Sequence, residues 1–276
     1  MLGALFLLIH FSTAAPAADP TTRSGDWKLV WQDEFNRKKI DSKKWNVLVR
    51  EHSKHNELQY YVPDEAYLEK GCLRLRSQIR DFGTKHYTSG RVDTSGKLAV
   101  VYGRFEIRAK LPGGKGLWPA HWLYPQNRDW GMEYLMAEAA AKGQERLIPE
   151  ERPWYTEIDI MEFLGHEPNT VYGTLHYHTF QGEKKTSSGT WRGSTDYTKD
   201  FHVYVLEWEP NSLRWFIDGQ LIHSTTNGIP HRPHYLILNT AVGGAWPGNP
   251  DATTAMPQFH DIDYVRVYQK KAMVKR

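Results

Sequence analysis

The sequence has almost no cysteine: Cys72 is the only one in 276 residues. No disulfide can staple the chain, and at this length none is needed, because a large core can be buried. Cys72 lies in GCLRLR, a short alternating run with no neighbour in sequence that would activate a thiolate, so it reads as a packed, inert thiol. Charge of one sign is also lacking. The 35 Lys and Arg nearly cancel the 32 Asp and Glu, leaving a net +3, and the basic residues are scattered. That argues against nucleic acid or a membrane surface as partner. Long apolar runs are missing too. The one candidate, Leu2–Phe11 (LGALFLLIHF), is too short to span a bilayer. It is followed by TAAPAAD, in which Ala15-Pro16-Ala17 fits a small-x-small cleavage site. Residues 1–17 are therefore predicted to be a secretion signal and 18–24 a short polar leader, with the protein secreted to an extracellular or periplasmic space.

Internal repeats, low-complexity linkers and helical patterns are scarce as well. Only Gly131–Arg146 (GMEYLMAEAAAKGQER) has the composition of a helix. The rest of the chain is a succession of short strand patterns broken by turn signals: WKLVWQDEF, CLRLRSQI, YGRFEIRAKL, NTVYGTLHYHTF, FHVYVLEWEP, HYLILNTAV and DYVRVYQ. LRWFIDGQLIHS reads as a hairpin turning at Asp218-Gly219. These patterns predict a single all-β sandwich over residues 25–270.

What is present and unexpected is a row of acids in a segment that otherwise looks like core. WYTEIDIMEFLGHE (Trp154–Glu167) places Glu157, Asp159 and Glu162 among Ile158, Ile160, Met161, Phe163 and Leu164. On a helix these acids would diverge. On a strand, Glu157 and Asp159 share a face, and Glu162 is one residue late. A β-bulge at Ile160-Met161 corrects the phase and puts all three on one face, with Ile158 and one of the bulge pair toward the core. Like charges this close repel, so at least one pKa should rise. A solvated acidic strand face and a carboxylate site for a divalent metal are the alternatives. Two carboxyl groups about 5–5.5 Å apart are also the apparatus of a retaining glycosidase. The Cα atoms of Glu157 and Glu162 would lie about 13 Å apart at the usual strand rise, a gap two Glu side chains can largely close. In that reading Glu157 is the nucleophile, Glu162 the acid/base, and Asp159 tunes both.

EIDIME (Glu157–Glu162) resembles the catalytic signature of glycoside hydrolase family 16, in the bulged form of the laminarinase-like endo-β-1,3-glucanases. WQDEF, NELQYY, TSGRVDT, YGRFEIRAKLP, GLWPAHW, VYGTLH, AVGGAWPGNP and DYVRVYQ follow in the family's order, so the resemblance runs from about Trp27 to Gln269. It implies a β-jelly roll of two curved antiparallel sheets with the acids in an open substrate cleft. It further implies that Trp118 and Trp122 stack on sugar at the cleavage centre, that Trp246 stacks farther along, and that Asn56 and Arg91 hydrogen-bond sugar hydroxyls. His176 would sit near Glu162 and help set its protonation. No cofactor would serve catalysis, but a structural calcium would be held by Glu34, Gly71 and Asp263. The partner would be a polysaccharide, a β-glucan, and the protein a monomer.

The chain departs from that family at several points expected to border the cleft. These are the charged Arg50–His55 (REHSKH), His121, Thr156, Tyr177-His178, and an extended segment over 132–155 that would form a small helical flap. Mixed-linkage glucan and sulfated galactan are rival substrates, and a non-catalytic glucan-binding protein is the rival class. Retention of all three acids favours the enzyme.

Overall fold

The computed structural model describes residues 26–51, 54–126, 155–179 and 183–273. The expected signal, leader and helical segment at 131–146 lie outside them, as does nearly all of 132–155. Strands are numbered in chain order. The smaller sheet runs β13 (Lys184–Arg192), β12 (Thr170–His178), β11 (Tyr155–Phe163), β10 (Leu117–Pro125), β17 (His234–Val242), β8 (Arg91–Asp93), β2 (Asn46–Val47). The main path of the larger sheet runs β16 (Gln220–Thr225), β15 (Ser212–Ile217), β14 (His202–Glu209), β9 (Gly103–Lys110), β18 (Gln258–Lys270), β6 (Cys72–Phe82), β7 (Lys85–Ser89), β4 (Gln59–Tyr61), β3 (Arg50–Glu51). On its flanks, β1 (Trp27–Asp33) pairs with β18 and β5 (Ala66–Glu69) with β6. This is the all-β, jelly-roll-like sandwich expected. Its ladders are antiparallel except for β4 against β7, which is parallel.

The alternation read from the sequence decides which side chains meet between the sheets. Val92, Leu123, Ile158, Leu175, Leu236 and Leu238 of the smaller sheet face Leu73, Leu75, Phe105, Ile107, Leu206 and Val265 of the larger. The β15–β16 hairpin turns where predicted, with Asp218 and Gly219 both at positive φ (49° and 81°), as a two-residue primed turn requires.

The bulge in β11 also falls where the acid spacing demands. Pairing with β12 is regular to Asp159↔Thr174 and resumes at Glu162↔Tyr172. Against β10 the same slip separates Asp159↔Trp122 from Met161↔His121. Ile160 and Met161 are both buried in the core, so the bulge drives two residues inward where one was expected. A tie from the larger sheet sits directly beneath. The buried indole Nε1 of Trp215 donates to the carbonyl of Asp159 (2.9 Å). Gly173 makes room for it, since a Cβ there would lie 2.7 Å from the indole ring. Trp215→Phe leaves that carbonyl without its donor. The expected cost is about 1–3 kcal/mol in unfolding free energy. Denaturant melts check this, and a variant as stable as the wild type would refute the tie.

His121 and Thr156 were expected at the cleft and are not there. His121 occupies a core-facing position of β10, where its ring stacks on His260 of β18 with Nε2 atoms 3.0 Å apart. Burial holds His121 well below the ordinary histidine range and lowers His260 to about 4. Thr156 is buried and hydrogen-bonded through Oγ1 to His234 Nε2 (2.8 Å). Burial, followed by Asp263 and Asp261, pushes the Cys72 thiol up to about 11, in keeping with an inert thiol.

Candidate active site

Cross-strand register lines up the groups on the open face of the smaller sheet. One row runs Arg91 (β8), Asn239 (β17), Ala120 (β10), Glu162 (β11), Tyr172 (β12). The neighbouring row places Trp122 beside Asp159 and Thr174. Two cavities open over this face and share Glu157, Glu162 and Trp118. One extends toward Arg91 and Asn239, the other toward Thr174, His176 and Ser188. The acids therefore stand in the middle of a continuous cleft.

Each acid has its own surroundings. Asp159 is buried, and Glu162 is 9% exposed. Burial raises Asp159 well above the carboxylate range, and the charges of Glu162 and Glu157 add to the shift. A protonated Asp159 is a hydrogen-bond donor between its neighbours. Burial also lifts Glu162 to about 7, with Glu157 pushing the same way. Against this works a hydrogen bond from the Trp118 indole Nε1 to Glu162 Oε1 (3.0 Å), which favours the ionised form. Glu162 is thus a buried acid that can both lose and hold a proton near neutral pH.

His176 stands opposite Glu157 in the ladder, with Nε2 3.5 Å from Asp159 Oδ2. Its contacts are Asp159 and Glu157 rather than Glu162, which corrects the expected placement. Burial lowers it, Lys54 adds to that, and Glu157 opposes both. Its Nδ1 lies 3.1 Å from Thr186 Oγ1.

The aromatic walls are also fixed by bonds. Trp122 Nε1 donates to Asn239 Oδ1 (2.7 Å), and Asn239 Nδ2 donates to the Tyr61 hydroxyl (3.1 Å). Trp246 is exposed, edge-on to Trp118 (5.3 Å) and to Tyr172 (4.9 Å). These rings form an aromatic corner around Glu162, the kind of surface that holds a sugar by its C–H face. Asn56 behaves differently. It is exposed at φ 66° between the cleft-lining His55 and Glu57 and does not itself line the cavity. The amide in the cleft is Asn239.

The family profile for glycosyl hydrolases family 16 matches residues 145–266, and that for the beta-glucan synthesis-associated protein SKN1/KRE6/Sbg1 matches residues 7–127. A beta-glucanase of Rhodothermus marinus is 36% identical over 96% of this chain and 93% of its own. The chain belongs to glycoside hydrolase family 16. It is a glycoside hydrolase. The fold agrees: the catalytic domain of an endo-1,3-beta-glucanase (laminarinase) from Thermotoga petrophila aligns at 38% identity and TM-score 0.72, over 89% of this chain and 99% of that one. The laminarinase from Rhodothermus marinus aligns at 35% identity and TM-score 0.74, over 88% and 98%.

In this family-16 hydrolase the expected calcium ligands do not form a ready cage. Glu34 gives both oxygens to Arg266 (2.8 and 2.9 Å), and Asp263 is paired with Arg108 (2.5 Å). Gly71 holds its turn at φ 77°. Each carboxylate is paired with a guanidinium, so neither stands as a free side-chain ligand. Among the described residues, the one trio of metal-type donors close together is Glu157, Asp159 and His176, within 4.8 Å of one another.

Asn239, Tyr61 and Tyr172 are site residues that sequence reasoning missed. Asn239 had a signal: it shares the phase of Tyr235 and Ala241 in HYLILNTAV. Tyr172 shares the phase of His176 in VYGTLH. Which phase faces the cleft is not written in either strand alone.

The raised Glu162 has a stability consequence. Its folded pKa of about 7 exceeds the ordinary 4.5, so the folded state keeps a proton that the unfolded state releases. Stability is full below about pH 4.5 and is lost as pH rises through about 7. Glu162→Gln removes that loss. Its Tm should match wild type at pH 4 and exceed it at pH 8, by the equivalent of up to about 3 kcal/mol. Thermal melts at the two pH values test this, and the same difference at both would refute it.

Proposed function

We propose that this family-16 hydrolase is a retaining endo-glycosidase of β-1,3-glucan, with Glu157 as nucleophile and Glu162 as acid/base. One observation carries the reading: the β11 bulge brings Glu157, Asp159 and Glu162 to one face, and burial prepares Glu162 to donate a proton near neutral pH. The relatives, a beta-glucanase and two laminarinases, support the substrate class.

In the first step a Glu157 oxygen attacks the anomeric carbon while Glu162 gives its proton to the departing glycosidic oxygen. A glycosyl ester of Glu157 forms and the leaving sugar departs with a new hydroxyl. Glu162, now ionised, takes a proton from water, which attacks the same carbon and releases Glu157. Asp159, buried between them, donates a hydrogen bond to Glu157 and limits the charge that Glu162 meets. Trp118 and Trp246 hold the rings on either side of the bond.

Incubation with laminarin, mixed-linkage β-glucan and agarose, followed by new reducing ends, tests the substrate. Laminarin should be cleaved fastest, and NMR of the first product should show the β anomer. An α anomer, or silence on laminarin with turnover of agarose, would overturn the reading. The N-terminal apolar run further supports export, which N-terminal sequencing of protein from the culture medium would read.

A further inference from the structure

The charged stretch Arg50–His55 has so far found no role, and one cleft residue is electrostatically unfinished. Arg91 is 5% exposed, yet neither hydrogen bond nor ion pair reaches its guanidinium among the described residues, and its Nε is buried without an acceptor. Its close neighbours are ring faces, Trp122 at 5.3 Å and Tyr61 at 5.9 Å. A buried guanidinium without a hydrogen-bond acceptor or a direct ion-pair partner is costly. Burial lowers the pKa of Arg91 and Arg50 pushes the same way, while Tyr61, Asp93 and Tyr235 partly offset the loss.

Arg50 and Lys54 line the same cavity, are exposed, and have no ion-pair partner among the described residues. The acids near this end are committed elsewhere. Glu57 Oε2 accepts from the His55 backbone N–H (2.7 Å), and Asp93 Oδ1 accepts from Asn46 Nδ2 (2.8 Å) and Ser95 N (3.1 Å). Arg91 is three strands from Glu162 along one register row, about 14 Å at the usual strand spacing. A group bound there would belong to a sugar farther along the chain than the one that is cleaved.

We propose that the end of the cleft lined by Arg50, Lys54 and Arg91 is an anion-accepting subsite, for a sugar that carries a carboxylate or a sulfate ester. This deepens the reading of the cleft as a glycan channel and rests on it. Neutral hydroxyls can accept from Arg91 but bring no charge to meet Arg50, Lys54 and Arg91 together. A carboxylate or sulfate accepts two charge-assisted bonds from the guanidinium fork and neutralises it. Arg50 and Lys54 at the mouth draw the anion in.

The test uses three sets of laminari-oligosaccharides of equal length: neutral, oxidised at C6 to the carboxylate, and sulfated at C6. Turnover (kcat/KM) is measured with the wild-type chain, and binding by calorimetry with Glu157→Ser. The expected result is a preference of at least about tenfold for one or both anionic sets at low salt, shrinking as salt is raised. The Arg50→Gln/Lys54→Gln pair should reduce that ratio. A carboxylate-only preference identifies an acidic sugar, and a sulfate-only preference identifies a sulfate ester. Equal or weaker binding of both anionic sets, or a ratio untouched by the double substitution, overturns the proposal. If nothing is cleaved, the proposed function fails, and the binding arm still decides the subsite.

Discussion

Glu157→Ala should lower kcat on laminarin by about 10⁴-fold or more, since among the described residues no other group on the cleft face stands in its place to form the proposed ester. Asp159 cannot substitute. It is buried, and burial together with the charge of Glu162 disfavours its ionised, nucleophilic form. The decisive readout is rescue. Azide fits the space left by the carboxylate and enters from that face, so one displacement gives a glycosyl azide of inverted, α configuration. In Glu162→Ala the ester still forms when the leaving group is good, and azide then attacks it from the opposite face to give the β azide. The two variants should therefore yield azides of opposite configuration. Identical products from both, or a Glu157→Ala enzyme within about 100-fold of wild type, would remove Glu157 from the nucleophile's role.

The same strand shows what the sequence makes legible. The bulge was readable because a period of two is strict: Glu162 stands one residue out of phase with Glu157 and Asp159, and burying that error would cost far more than inserting a residue. The hairpin at Asp218-Gly219 was readable for an equally local reason. β13 (KKTSSGTWR) was not, because it is polar on both faces and is held at the sheet edge by its ladder to β12. His121 lay within reach of the alternation in GLWPAHW, where it is out of phase with Trp118 and Trp122 and so faces the core. Its partner, His260, is 139 residues away, and no local pattern links them. Asn56 and Asn239 show the same limit. Asn56 was named from a motif, but the amide in the cleft is the one that long-range pairing puts between Ala120 and Arg91.

Glu162→Gln should cost about 10²–10⁴-fold on laminarin, the usual worth of a positioned acid, and much less on an aryl glycoside whose leaving group needs no proton. Its pH signature is sharper still. The proposed mechanism requires Glu162 protonated, so the alkaline limb of kcat/KM should fall near pH 7 in the wild type, in line with the raised pKa that burial and Glu157 give it. Trp118→Phe keeps an aromatic face but deletes the N–H that stabilises ionised Glu162 (3.0 Å). The ionised form loses its donor, the pKa rises, and the alkaline limb should move to higher pH. Removing Glu157 acts in the other direction, because the negative charge that opposes ionisation of Glu162 is gone. Carbon-13 titration of the glutamate carboxyls can follow this in the inactive Glu157→Ala variant. Opposite shifts in the two variants identify Glu162 as the titrating acid, held between an indole that favours its charge and a neighbouring carboxylate that resists it. A limb that stays put in Trp118→Phe assigns the proton to another group.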